Sequence, residues 1–278
     1  VKSSSTIDAA SLHGVFRIRC AAESGGTVLA AREVSAPFHL SKPYWTGEVL
    51  LVQAVNATAG VFAGDRMELD VEVAPGARVL FTSPSASRIH AMPRGEAVME
   101  QVCRVRAGGW LEVRPELFIP QAGCRYRQFT RLEVERGGAL FFAETLAPGR
   151  VARGERFAFE EVRWAMDLVY AGRRVARERY ALRANDGSAW ALKHPFGAGY
   201  YAGCYLVGEA AAAAAAHQAA WNAMSDEARW VGASALDPAC WSIKVLAADS
   251  ETLRQTLRRV RTDLAAAFPG LGVEDRKL

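Results

Sequence analysis

The chain has 278 residues, half of them apolar, and its 34 lysines and arginines outweigh 30 aspartates and glutamates to a net charge of +4. That is ample apolar sequence for a large buried core. The basic excess is scattered arginine without a Lys/Arg block, which argues against a nucleic-acid partner, and no run of about 18 apolar residues suggests a membrane span.

The stretch "VKSSSTIDAASLHGVF" has no apolar h-region, so no signal peptide is expected. Cys20, Cys103, Cys124, Cys204 and Cys240 are odd in number and widely spaced. A disulfide framework and a CxxC-type zinc site are therefore not expected, which suits a reducing cytosol. From "RMELDVEV" onward the chain reads as strands. Met67, Leu69, Val71 and Val73 alternate with Glu68, Asp70 and Glu72, the period of a half-buried strand. "APGARVLFTS" then supplies a turn and a second strand. "AVMEQVCRVRAGGWLEVRP" repeats the theme about Gly108-Gly109, and "FTRLEVERGGALFFAETL" repeats it about Gly137-Gly138. "RFAFEEVRWAMDLVYAGRRVARERYAL" adds another strand–turn–strand, with a further turn at Gly187. This cadence of turns marks a layered all-β fold. The units share a rhythm but not a sequence, so no true repeat is assigned.

Two helices follow. Seven consecutive alanines predict a helix from Glu209 to about Met224. Trp221, Trp230 and Trp241 lie near it and are expected to expose apolar surface for a partner. In "DSETLRQTLRRVRTDLAAAFPG", Leu253, Leu257, Val260, Leu264 and Phe268 form one apolar stripe. Asp249 or Ser250 can cap that helix over about 250–268, and Pro269-Gly270 stops it.

Familiar catalytic and nucleotide-binding patterns are missing. There is no phosphate-cradling G-x-x-x-x-G-K-[ST] loop, no G-x-G-x-x-G, no G-x-S-x-G and no H-E-x-x-H. His13, His39, His90, His194 and His217 lack metal-chelating spacing; His194 and Cys204 in "HPFGAGYYAGCY" are the most ligand-like pair, although a bulged strand with a tight turn explains that stretch as well. Two unrelated classes stay open on the residues alone: a β-rich protein- or sugar-binding module, and a hydrolase with an unrecognised carboxylate pair.

One ordered succession of motifs is more informative. "NATAGVFAGD" (56–65), "VAPGARVLFTS" and "TSPSASRIH" are followed by "GGWLEVRPELFIP", then by Glu144 through "GRVARGE" to Glu155, and finally by "WSIKVLAADSETLRQTLRRVRTDL". In that order they resemble the UreD family of urease accessory proteins, called UreH in some organisms, over roughly residues 12–268. Ala59-Gly60 stands where the family has a double glycine, Pro84 at a glutamine place, and Arg88 and His90 at lysine and tyrosine places. Arg114 precedes a proline where an apolar residue is usual.

The resemblance implies one domain over 1–278, mainly β, layered or β-helical-like, with two helices in the C-terminal third. It also implies a cytoplasmic, non-catalytic scaffold. Such a scaffold binds urease apoprotein with a UreF-type helical partner and, through it, a UreG-type GTPase, and assists nickel delivery without holding a cofactor stably. Nickel would pass over weak oxygen or nitrogen donors. Asp65, at the end of the glycine turn, is the first candidate, its alternative being a turn aspartate bonded to its own backbone. Glu144 and Glu155 either line the same path or pair with Arg150 and Arg153 as edge charges. Thr82, Ser83 and Arg88 either face that path or close a strand end.

Overall fold

The computed structural model describes residues 11–184, 186–189, 192 and 199–272. β1 (His13–Glu23), β2 (Gly26–Val34), β3 (Phe38–Leu40), β4 (Tyr44–Thr46) and β5 (Val49–Asn56) come first. β6 (Arg66–Val73), β7 (Arg78–Thr82), β8 (Ser87–Ile89), β9 (Ala97–Val105), β10 (Trp110–Arg114), β11 (Phe118–Pro120), β12 (Arg125–Val134) and β13 (Ala139–Leu146) wind through the middle. β14 (Glu161–Tyr170), β15 (Arg173–Arg183), β16 (Tyr200–Val207), β17 (Arg229–Asp237) and β18 (Cys240–Ala247) complete the strands.

The predicted turns lie where expected, but most are not hairpins. β6 and β7, β9 and β10, and β12 and β13 go to opposite sheets, and each strand pairs instead with its counterpart one coil away. The first sheet runs β15-β14-β12-β9-β6-β1-β2, and β1, β6, β9, β12 and β14 are mutually parallel. The second runs β17-β18-β16-β13-β10-β7-β5-β3, with β5, β7, β10 and β13 parallel. β8 and β11 form a short third side. The result is a β-solenoid-like stack, closed by the antiparallel pairs β1–β2 and β14–β15.

The corners explain the turn chemistry. Residues 74–77, 106–109 and 135–138 each close a backbone turn, and Gly76, Gly108 and Gly137 take left-handed φ of +75°, +74° and +79°, which glycine adopts without steric cost. These corners also bond to one another, from Gly76 N to Gly108 O and from Gly108 N to Gly137 O. A structural repeat therefore exists in the backbone although the sequences differ.

Inside the stack, the alternation of β6 holds: Met67, Leu69, Val71 and Val73 are all buried. Leu69, Val71 and Val73 share the main core with Val79, Phe81, Leu111, Val113, Leu140 and Phe142 of the second sheet, and Met67 packs in a separate cluster with Val61, Ile89 and Phe118. A second core lies on the outer face of that sheet, under the helices. The alanine-rich segment is helical over less than the expected span. Glu209–Ala213 is a 3₁₀ turn and α1 covers Ala214–Asn222, because Gly208 offers no capping side chain and alanine buries little. Trp221 and Trp241 are buried, so the expected apolar patch is reduced to Trp230, which is 53% exposed.

α2 (Ser250–Leu264) begins as predicted, Asp249 accepting from Thr252 N at 2.7 Å, and ends four residues early. Its whole stripe from Leu253 to Phe268 is nevertheless buried. Arg261 on this helix meets Glu112 of β10 in a buried two-bond pair at 2.7 and 3.1 Å, which clamps the helix to the sheet.

The stacking makes a sharp comparison between two glycines. A methyl group at Gly138 would sit 2.8 Å from the backbone oxygen of Arg106, whereas one at Gly154 would meet nothing and suffer only its φ of +76°. Gly138→Ala is expected to lose about 3 kcal/mol and Gly154→Ala about 1 kcal/mol. Denaturant melts of both variants check this, and equal losses would contradict the corner packing.

Candidate functional site: a polar lumen

The space between the two sheets is not filled throughout. A cavity of about 270 Å³ opens between the loops 56–60, 83–88 and 115–116 and runs inward past Gln101, Gln128 and Glu144 to Trp164. Short side-chain bonds build its mouth. Asn56 Oδ1 accepts from Thr58 N at 2.9 Å, and Asn56 Nδ2 donates to Gly60 O at 3.3 Å, folding the first loop. Gly60 lies so close to the next strand that a Cβ would come within 2.4 Å of Arg88 O. Thr82 Oγ1 donates to Arg114 O at 2.6 Å, and Ser83 Oγ accepts from Glu116 N at 3.0 Å. The Arg88 side chain is exposed at the rim.

The inner wall follows from the strand register. Leu69, Gln101, Thr130, Met166 and Glu178 form one inward row across the first sheet. Met67, Met99, Gln128, Trp164 and Tyr180 form the adjacent row. Tyr126 OH donates to Gln128 Oε1 at 2.9 Å, and Gln128 Nε2 to Thr130 Oγ1 at 3.0 Å. Facing them from β13 is Glu144, 7% exposed and without a hydrogen-bond partner among the described residues. Desolvation pushes its carboxyl up to about 7; Lys244 opposes that shift and Glu178 adds to it. Past Glu144 lies a group of Glu178, Lys244, Tyr201 and Tyr205, where Lys244 Nζ donates to both Glu178 oxygens.

Four of the seven sequence-predicted residues meet here: Thr82, Ser83, Arg88 and Glu144 line the cavity. Three lie elsewhere. Asp65 does not face solvent or the cavity. It is buried, with Oδ1 accepting from Leu12 N at 3.0 Å and Oδ2 from Phe62 N at 2.8 Å. Leu12, 53 residues away, is held to the turn by this bond, so removing the carboxylate strands two N–H groups at about 1–3 kcal/mol each, not the small loss of a surface turn. Arg150 and Glu155 form an ion pair that holds their own loop, Arg150 Nε donating at 2.8 Å, and the same Glu155 carboxylate caps Ala122 N. That hydrogen bond from Arg150 is the main cause lowering the Glu155 pKa. His194 lies outside the described residues.

Sequence reading missed Gln101, Gln128, Thr130, Glu178, Tyr201, Tyr205 and Lys244. Their signal was polarity at the inward phase of an alternating strand, as in "RYRQFTRL". Burial pushes the thiols of Cys20, Cys103, Cys124, Cys204 and Cys240 up to about 12, so none is a ready metal ligand. All five are free. Among the described residues no group of three or more His, Cys, Asp or Glu side chains is placed to hold a metal ion. Among those residues, too, no helix is long and apolar enough to cross a membrane.

Fold and site thus define a β-solenoid with an open, partly polar cavity between its sheets and a helix-covered outer face. The family model described as UreD urease accessory protein matches residues 12–276. A protein named urease accessory protein UreD from Opitutus terrae is 42% identical over 269 residues, covering 95% of this chain and 98% of that one. One of the same name from Deinococcus radiodurans is 33% identical over 262 residues, 92% of each chain. The chain belongs to the UreD family of urease accessory proteins.

Glu144 yields a pH-dependent expectation. Its folded pKa lies above its ordinary value of 4.5, so its contribution to stability is fully present below pH 4.5 and is lost as pH rises through about 7. Glu144→Gln is therefore expected to match wild type near pH 4.5 and to exceed it increasingly toward pH 8, by at most about 3 kcal/mol. Thermal melts across that range check it. A gap independent of pH would show that the carboxyl is not held in a desolvated site.

Proposed function

We infer that the chain works in the cytoplasmic maturation of urease as a non-catalytic scaffold. It binds the urease apoprotein together with a UreF-type helical partner, and through that partner a UreG-type GTPase, which supplies the nucleotide chemistry for which this sequence has no phosphate loop. The observation that carries this reading is a cavity with polar groups at its mouth and the buried carboxylate of Glu144 at its wall, inside a member of a urease accessory family. Nickel is cargo in this reading, not a resident cofactor.

The donor set supports transit over storage. Glu144 and the amides of Gln101 and Gln128 offer dispersed oxygen ligands, which hold a borderline ion such as nickel weakly. The mouth groups Thr82, Ser83 and Arg88 are the entrance or the partner contact. Asp65, Arg150 and Glu155 stand outside the passage and brace their own turns.

Capture from the native cell tests the assignment. The tagged chain is expected to retain urease subunits and a small GTPase. Arg88→Glu, at an exposed position, is expected to reduce that capture or urease activation several-fold with an unchanged melting temperature. Capture without urease, and activation that is indifferent to deletion of this chain, would overturn the reading.

A further inference from the structure

The free edge of β17 is already paired, though not with a strand. In an edge strand every second residue points its N–H and C=O away from the sheet, and in β17 these include Arg229, Val231 and Ala233. The segment just before the strand bonds all of these groups. Asp226 Oδ1 accepts from Arg229 N at 2.9 Å, and Asp226 N donates to Arg229 O at 2.9 Å. Ser225 Oγ accepts from Val231 N at 3.0 Å and donates to Val231 O at 3.3 Å. Asn222 Oδ1 accepts from Ala233 N at 2.9 Å, and Gln218 Nε2 donates to Ala233 O at 2.8 Å. α1 and the turn after it thus stand where a further strand would pair.

This cap is a short helix with little stability of its own. α1 is nine residues long, has no side-chain N-cap and follows a 3₁₀ turn, and a helix of that length does not persist alone in water. Its anchor is the buried Trp221, whose Nε1 donates to Asp263 Oδ2 at 2.9 Å. The long edge of the other sheet is defended differently. β15 carries Arg173, Arg174, Arg177, Arg179 and Arg183, and such a row of like charges repels a second copy. Between Arg229 and Asp237 β17 has no charged residue, so the cap is what protects it.

The strand itself is self-complementary. Val231 and Ala233 are buried in the second core, whereas Trp230, Gly232, Ser234 and Leu236 are exposed, Trp230 by 53% and Leu236 by 38%. A second β17 laid antiparallel about a two-fold axis at Ala233 sets Trp230 opposite Leu236 of the copy and Gly232 opposite Ser234. Both are non-hydrogen-bonded pairs, the kind in which side chains approach most closely. Arg229, which the cap's Asp226 holds in the closed chain, then reaches Asp237 of the copy, just past the bulge between Ala235 and Asp237. Asp237 already bonds Arg173 of its own chain, so this end contact adds to the apolar pairs and does not replace them. We propose that β17 is a docking edge for a second copy of this chain and that α1 is its removable cap. Capped, the chain is a monomer. With α1 swung aside, two β17 strands join their sheets antiparallel about Ala233.

Sedimentation equilibrium of the purified full chain tests this. Gln218→Ala, Asn222→Ala and Ser225→Ala combined, which unbond the edge at Val231 and Ala233, are expected to dimerise at a concentration about tenfold below that of wild type. Adding Trp230→Glu is expected to abolish the gain. Adding Leu236→Arg to that chain is expected to restore it, because the two-fold pairing sets the new carboxylate opposite the new guanidinium at both ends. If the triple variant does not fold, a mixture of Gly232→Cys and Ser234→Cys chains is read instead. The native thiols are buried, and the mixture is expected to form a disulfide-linked dimer faster than either chain alone. Dimerisation at the wild-type concentration, a gain that survives Trp230→Glu or is not restored by Leu236→Arg, or a mixture no faster than its parts overturns the proposal.

Discussion

Where Gly108 N donates to Gly137 O at 2.9 Å, one coil of the chain is held a single strand spacing from the next. The same bond joins the corners at Gly76 and Gly108. Each corner turns the chain from the first sheet to the second: Gly76, Gly108 and Gly137 supply the left-handed φ, and Gly109 and Gly138 the close approach to backbone oxygens of the neighbouring turn. Once the corners stack, registers along both sheets are determined, and residues from distant coils become neighbours in inward rows. The lumen is a product of that alignment. Gln101 and Thr130 stand side by side because their corners do.

The rest of the molecule shows what the alignment leaves available. On the outer face of the first sheet, charges pair across strands, as Arg104 does with Asp70 and Arg177 with Asp167. The Arg104–Asp70 pair is partly solvated and contributes little, whereas Asp167 is buried beneath two bonds from Arg177. On the outer face of the second sheet, Glu112 and Arg261 are buried together, and Arg114 Nε also donates to Glu112 at 3.1 Å, so the buried carboxylate is held by two guanidinium groups. Their pairing holds the C-terminal helix over the sheet and leaves the loops of the mouth uncovered by it. Inside, by contrast, Glu144, Tyr180 and the indole N–H of Trp164 lack protein partners among the described residues. Unsatisfied buried groups are costly; of these residues Glu144 and Trp164 line the cavity.

Much of this architecture was legible in the sequence. The alternation of "RMELDVEV", the Gly-Gly corners and the capped amphipathic helix are local, and local patterns survive folding. Pairing was not legible, because parallel partners such as β9 and β12 are joined only through intervening strands on the other sides of the coil. For the same reason the Glu178–Lys244 pair, 66 residues apart, could not be seen, nor could the fold-back of Leu12 that turns Asp65 from a surface residue into a buried brace. Glu144 was identified by resemblance, but its company in the lumen came from inward polar residues that each look unremarkable in their own strand.

The claim that cargo passes through the solenoid interior is tested most directly at its narrow polar wall. Gln128 is 8% exposed and bonds to Tyr126 and Thr130 within the lumen, and methionine nearly matches its shape while removing its polarity. The measurement is the nickel content of urease produced alongside Gln128→Met, with the variant confirmed as folded and still bound to urease. The account predicts urease that is assembled but poor in nickel. Urease with the wild-type nickel content, made with a folded and bound Gln128→Met chain, would contradict it.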